Sequence, residues 1–231
     1  MINRCTEQHG LARLQRVKAS YQTHIMLNYE HAAADCRTCP VRGVCCTDAH
    51  FVNVHITRLE AVSIRETLER TPRLEAHARR AVYNRAREAV ARYGLRAAVS
   101  AGDSFTQTYA CPLYEPTAGC LVHRRAKPAP CIQHACYENW EDLPPHSLQS
   151  RAEHRIEQLN TAVYGAAWAW LPTPLWLCLV DPHSDGLELE RLARVWAARP
   201  RKTGTDSAHQ ARPSTQARPQ THRSLPVLKK G

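Results

Sequence analysis

Eight of the chain's ten cysteines fall into two groups of four, and their spacing points to metal chemistry. The first group, Cys36-x2-Cys39-x5-Cys45-Cys46, lies within the stretch "DCRTCPVRGVCC". The second, Cys111-x8-Cys120-x10-Cys131-x4-Cys136, is looser. A C-x-x-C turn lets two thiolates converge on one ion, and four thiolates complete a tetrahedral zinc site or hold an iron-sulfur cluster, including the four-iron, four-sulfur type. Cys36, Cys39, Cys45, Cys46, Cys111, Cys120, Cys131 and Cys136 are therefore the candidate metal ligands. Only Cys36 and Cys39 have knuckle spacing, so the pattern is not that of a two-knuckle zinc ribbon. The adjacent pair adds a constraint. Neighbouring side chains on extended backbone point to opposite sides, so bringing Cys45 and Cys46 to one ion demands a tight local bend.

Other residue types in the same stretches bear on that chemistry. His123 and His134 lie within the second group, and either can replace a thiolate in mixed Cys/His zinc sites. Thirteen histidines in the chain make chance proximity the expectation for them, as for His50 and His55 after the first group. Four thiolates on a dication leave a net charge of about −2, which nearby cations offset. Arg37, Arg42, Arg124, Arg125 and Lys127 are interleaved with the ligands and can supply that offset, or can form an ordinary solvated loop surface. Cys5 and Cys178 stand alone. The latter sits in "LWLCLV", where a buried thiol behaves as a small apolar group.

The chain has 231 residues and can bury a sizeable core, so the cysteines are not needed to rescue a small fold. The polar opening "MINRCTEQHGLARLQRVKAS" has no apolar run of the kind a secretory signal requires, which predicts a cytoplasmic protein with reduced thiols. A net charge of +10 invites a nucleic-acid reading. Most of that charge sits at one end, however: residues 199–231 hold eight Lys/Arg against one acid. This segment is rich in Pro, Ser, Thr, Gln and Arg with little to bury, and is expected to be a disordered basic tail. It offers contact with an acidic macromolecular partner, but no nucleic-acid-binding motif is recognisable.

The elements that must position the cysteines read as mainly α around a loop-rich, metal-stabilised cysteine core. Residues from about Thr6 to Ala34 predict a helix, with Leu11, Leu14, Val17, Tyr21, Ile25 and Leu27 at near-helical spacing. Thr57 followed by Glu60 predicts a capping box opening a helix with Leu59, Val62, Ile64 and Leu68 inward. "RLEAHARRAVYNRAREAVARYGL" predicts another, with Leu74, Ala78, Val82, Ala86, Ala89 and Tyr93 on one side and Gly94 as its stop. The second cysteine group is rich in proline and excludes long regular structure. After Pro144 and Pro145, "SLQSRAEHRIEQLNTAVYGAAWAWL" reads as a helix, "LWLCLV" as a short buried strand or helix, and "LELERLARVWAARP" as an amphipathic helix. Trp168, Trp170, Trp176 and Trp196 read as core or as a hydrophobic face against the metal domain. Residues Thr161 to Val180 carry no charge over about the length that spans a bilayer, but Pro172 and Pro174 divide them and argue against a membrane segment. The buried alternative is a helix followed by an apolar strand. The predicted organisation is an N-terminal helix over 1–35, an eight-cysteine metal-binding domain over 36–140 with a helical insertion at about 56–95, a helical extension over 141–198 packed on it, and the tail.

Taken in order, these motifs resemble the YkgJ-type cysteine-cluster family, which is described as zinc- or iron-chelating. The likeness rests on the C-x-x-C followed by Cys45-Cys46, on "HITRLEAVSI" as a Leu-Thr-x-x-Glu helix start, and on "CPLY", "GCLVH" and "KPAPC". It covers Cys36 to Cys136. His123 stands where Tyr is commoner, Lys127 replaces Arg, and the Cys39 to Cys45 spacing is longer than usual. The resemblance implies an eight-cysteine domain that chelates zinc or iron. Flagellin lysine methylases with a similar cysteine pattern are associated with an iron-sulfur cluster, but no methylase motif accompanies the cysteines here. There is likewise no phosphate loop, nucleophile elbow or His-Glu-x-x-His helix that would define an enzyme. Two functions follow: a metal-binding protein with a working zinc, iron or iron-sulfur site, or a structural zinc domain acting as an interaction module with a basic tail.

Overall fold

The computed structural model describes residues 5–34, 43–47, 53–72, 74–123, 125–137 and 139–198. Cys36, Cys39, Arg37, Arg42, His50, Arg124 and the tail over 199–231 lie outside the described residues, and with them the readings made for those positions.

The protein is mainly α-helical. Thr6 opens α1 (Glu7–Asn28), its hydroxyl accepting from the His9 amide at 3.3 Å, with Glu7 in the favourable first turn. Leu11, Leu14, Tyr21 and Ile25 form the buried face. The helix stops short of the predicted Ala34. The Asn28 side-chain amide donates to the His24 carbonyl at 2.8 Å, and the chain passes through a 3-10 turn, Glu30–Ala32, into strand β1 (Ala33–Ala34). Leu27, placed on the inner face by periodicity, is exposed.

Strand β2 (His55–Ile56) leads into α2 (Arg58–Arg70), which begins with the predicted capping box between Thr57 and Glu60. Leu59, Val62, Ile64 and Leu68 are buried as the pattern requires. Then α3 (Ala76–Arg92) buries Val82, Ala86, Ala89 and Val90. Gly94, at φ 60°, ends it and starts a short helix α4 (Leu95–Ala101), which sequence periodicity did not announce. Leu95 and Ala98 anchor α4 in the core. Strands β3 (Tyr114–Glu115) and β4 (Gly119–Cys120) form a hairpin, followed by the short α5 (Ala129–Gln133) and by β5 (Cys136–Tyr137).

The next helix, α6 (His146–Tyr164), ends earlier than the predicted Leu171, because Gly165 takes φ 65° and turns the chain out of the helix. Residues 171–172 form β6 (Leu171–Pro172), and the apolar run read as a short buried strand or helix is a helix, α7 (Thr173–Leu179). Pro174 falls in its first turn, where a missing amide hydrogen costs nothing. A final helix, α8 (Leu187–Ala197), brings Trp196 against Trp176, with ring centroids 5.6 Å apart. Among the described residues no helix is long and apolar enough to cross a membrane.

Among the described residues the three strand pairs are antiparallel and two-stranded: β1 with β5, β2 with β6, and β3 with β4. They pin loops rather than build a layer. Helices α1 and α6 pack together, as do α3 and α7. Gly10 permits the first contact, since a Cβ there would fall 2.5 Å from Val163 Cγ2. One core cluster runs from Leu11 to Trp196, so residues on both sides of 35/36 and 140/141 share it. A smaller one, Tyr21, Ile25, Ile132 and Ala152, seats α5 between α1 and α6.

Candidate metal centre

The bend that the adjacent cysteines require is present. Gly43 adopts φ 80° and begins a 3-10 turn over Val44–Cys46, closed by the Cys46 amide donating to the Gly43 carbonyl at 2.8 Å. Only glycine fits there. The conformation is left-handed, and a Cβ would fall 1.9 Å from Tyr114 Cζ. The turn brings the Cys45 thiol into hydrogen-bond contact with both Cys46 and His134. Two side chains predicted to diverge on extended backbone thus face one neighbourhood.

Backbone contacts join this turn to the second cysteine group. The Cys111 amide donates to the Cys46 carbonyl at 2.8 Å, and the Tyr114 amide to the Cys111 carbonyl at 3.1 Å. The hairpin then sets Cys120 opposite Tyr114, whose ring covers Gly43. From α3, Arg85 holds the same turn by donating to the Pro112 carbonyl through Nε at 3.1 Å and Nη2 at 2.9 Å. Cys131 lies on α5, and its amide donates to the Pro128 carbonyl at 3.0 Å. Cys136 is exposed on β5 and pairs with Ala34, two residues before Cys36 in the sequence.

Five cysteines from three stretches of chain therefore share one electrostatic neighbourhood. Hydrogen bonds from Cys46 and His134 pull the Cys45 thiol down to about 4, toward the thiolate. Cys46, as the partner in that bond, is pushed far up, with burial and the charge of Cys111 acting in the same direction. Burial raises Cys111 to about 12 and also raises Cys120 and Cys131. Mutual repulsion adds to it: Cys120 acts on Cys111 and Cys131, Cys111 on Cys131, and Cys45 on Cys120. Lys127 opposes the rise at Cys120 and Cys131, which matches one of the cations picked out from sequence. Lys18 also opposes it at Cys131, and Arg85 at Cys111.

Lys18 is the residue that sequence reasoning missed. It lies on the inward side of α1, only 5% exposed, with its ammonium 2.9 Å from Glu60 Oε1. The geometry is that of an ion pair rather than a directed hydrogen bond. Glu60 is fully buried, and its other oxygen accepts from the Thr57 amide and hydroxyl at 3.2 and 3.3 Å. Its Oε1 also accepts from the Ala129 amide at 3.2 Å, at the start of the helix that carries Cys131. A Lys on a charged helix ordinarily reads as surface, so only the tertiary fold reveals this link.

The donor set suits a soft or borderline metal: thiolates, with His134 as a nitrogen alternative. Among the described residues, no group of three or more His, Cys, Asp or Glu side chains is arranged to hold a metal ion. His55, the other described candidate histidine near the first group, is buried, with Nε2 3.1 Å from Ser104 Oγ and its ring stacked on Phe105. The chain matches no protein-family model, no curated protein and no solved structure.

Proposed function

We propose that the protein is a metal-binding member of the YkgJ-type cysteine-cluster group, chelating zinc or iron, or holding an iron-sulfur cluster, through cysteine thiolates. One observation carries the reading: the half-buried Cys45, Cys46, Cys111, Cys120 and Cys131, from separate stretches of chain, lie within electrostatic reach of one another, and the Cys111 amide donates to the Cys46 carbonyl at 2.8 Å. Chance burial of small apolar thiols does not account for a glycine-dependent turn that turns two adjacent sulfurs the same way. The Cys45 thiol is pulled down by its contacts with Cys46 and His134, toward the ionised form that ligates metals. In this reading the C-x-x-C spacing of Cys36 and Cys39 adds two further ligands, and Cys136 pairs with Ala34, close to them in sequence.

The alternative is a structural zinc domain that folds this loop-rich region and presents it, with the basic tail, to an acidic partner. It is favoured by the lack, among the described residues, of regular structure between Gln107 and Pro128 beyond one hairpin of two-residue strands, since metal coordination supplies folding energy to such segments. One experiment separates the readings: purification without oxygen, metal analysis and a visible spectrum. A brown protein that bleaches in air supports the iron-sulfur site, and a colourless protein with stoichiometric zinc supports the structural one. Protein retaining neither metal after reconstitution with zinc or with iron and sulfide would sink both.

A further inference from the structure

We propose that Cys46 and Cys111 are a redox-modification site: a pair of thiols that the fold holds ready to form a reversible disulfide when the metal-free protein meets a hydroperoxide. Only the consequence for metal loading, drawn below, rests on the metal-binding reading above.

The backbone sets the distance. The Cys111 amide donates to the Cys46 carbonyl at 2.8 Å, and among the described residues no other two cysteines share a backbone hydrogen bond. Standard bond lengths and a trigonal carbonyl carbon then keep the two Cα atoms within about 6.7 Å of each other, and any bend at the amide nitrogen brings them closer. A disulfide spans about 4.4–6.8 Å between Cα atoms, so the pair already stands at bonding separation. Both residues are half-buried free thiols, and their side chains lie within electrostatic reach of each other. The neighbouring pair Cys45 and Cys46 competes poorly. Their peptide bond is trans, which fixes the Cα atoms about 3.8 Å apart, below the span of an unstrained disulfide. A Cys46–Cys111 bond instead staples two arms 65 residues apart in sequence, the 3-10 turn and the entry to the β3–β4 hairpin.

The chemistry balances with the peroxide as oxidant. One sulfur, as its thiolate, attacks a peroxide oxygen; the O–O bond breaks, hydroxide leaves, and a sulfenic acid forms. The second sulfur attacks the first, the S–S bond forms, and the S–O bond breaks as hydroxide leaves. The two thiol protons convert both hydroxides to water. Two thiols and one hydrogen peroxide thus give one disulfide and two waters, the sulfurs losing the two electrons that the peroxide gains. Exchange with an external dithiol reverses the bond. A sulfur in a disulfide offers no thiolate to a metal, so oxidation and metal loading exclude each other at these residues.

The test treats the reduced, metal-free full chain with stoichiometric hydrogen peroxide, blocks the remaining thiols, digests with trypsin without reductant and sequences linked peptides by tandem mass spectrometry. Cleavage after Arg42, Arg58, Arg96 and Arg124 puts Cys45 and Cys46 in peptide 43–58, and Cys111 and Cys120 in peptide 97–124. These two peptides are expected to be joined, with fragment ions locating the bond at Cys46 and Cys111, and dithiothreitol should separate them. Cys45→Ser and Cys120→Ser should keep the link, whereas Cys46→Ser and Cys111→Ser should lose it. In concentrated urea, where the backbone contact is gone, the same link should become a minor product. The proposal is overturned if another pair dominates in the folded parent, or if the Cys46–Cys111 yield is no higher folded than in urea. Zinc added before the peroxide should suppress the link, and an undiminished link with zinc bound would overturn the mutual exclusion. A parent that forms the link but takes up no zinc upholds this inference and counts against the metal-binding reading. A parent that takes up zinc but forms no link when metal-free overturns this inference alone.

Discussion

Replacing Gly43 by alanine tests whether the Cys45-Cys46 turn is built or incidental. Two costs are legible in the structure. An L-residue held at φ 80° pays about 1–2 kcal/mol for the left-handed conformation. The new methyl, 1.9 Å from Tyr114 Cζ, must displace a ring packed in the hairpin, an overpacking cost of about 1–3 kcal/mol. Gly43→Ala should therefore destabilise the protein by about 2–5 kcal/mol. A mutant cycle in urea unfolding separates the two, because Tyr114→Leu opens space for the methyl without altering the backbone angle. The double variant should recover the overpacking part and leave the conformational part. Metal content should fall in Gly43→Ala and partly return in the double variant. The reasoning is refuted if Gly43→Ala lies within about 0.5 kcal/mol of the parent, or if the double variant costs the full sum of the singles.

Three further outcomes are expected. In reduced, metal-free protein, alkylation of Cys45 by iodoacetamide, mapped by mass spectrometry, should be nearly independent of pH between about 6 and 8, because the thiol is already ionised above about 4. His134→Ala should bring back a pH slope, and a parent rate rising tenfold per pH unit would sink the assignment. Stability of the same protein should fall in alkali. Cys111 has its folded value raised from 9.0 to about 12, so its contribution is complete below the ordinary thiol value and is lost as pH rises through the folded one. At about 1.4 kcal/mol per pH unit, this is a loss of at most about 4 kcal/mol, and equal urea midpoints at about pH 8 and pH 10.5 would contradict it. Deleting residues 199–231 should leave metal content unchanged, since the core cluster closes at Trp196. Concurrent loss of metal on elemental analysis would show that the tail takes part in the site.

Much of the helical scaffold was legible because periodic apolar residues and a capping box are local signals. Thr57 and Glu60 announce α2 without reference to any other segment. Termini were read less well where a side chain outcompetes the helix, as Asn28 does at the end of α1, or where glycine φ decides, as at Gly165. The apolar run at 173–179 is uniformly buried, and periodicity alone cannot separate strand from helix there. The grouping of the cysteines was visible in their spacing. The convergence of Cys45 with Cys46 was not, because it depends on the left-handed angle at Gly43 and on a ring from the hairpin. Nor was the second task of Glu60, whose bond to Ala129 spans 69 residues of chain.

The pairing of β2 with β6 has a consequence for the protein's life on the ribosome. Thr173 closes this corner by donating from both its amide and its hydroxyl to the Val54 carbonyl, 119 residues earlier. Every cysteine from Cys36 to Cys136 is therefore made before the elements that complete the surrounding core. At about 5–20 residues per second, the thiols spend seconds on a nascent chain whose burial is unfinished. Oxidant level during that interval, and not only after release, therefore bears on whether the thiols stay reduced.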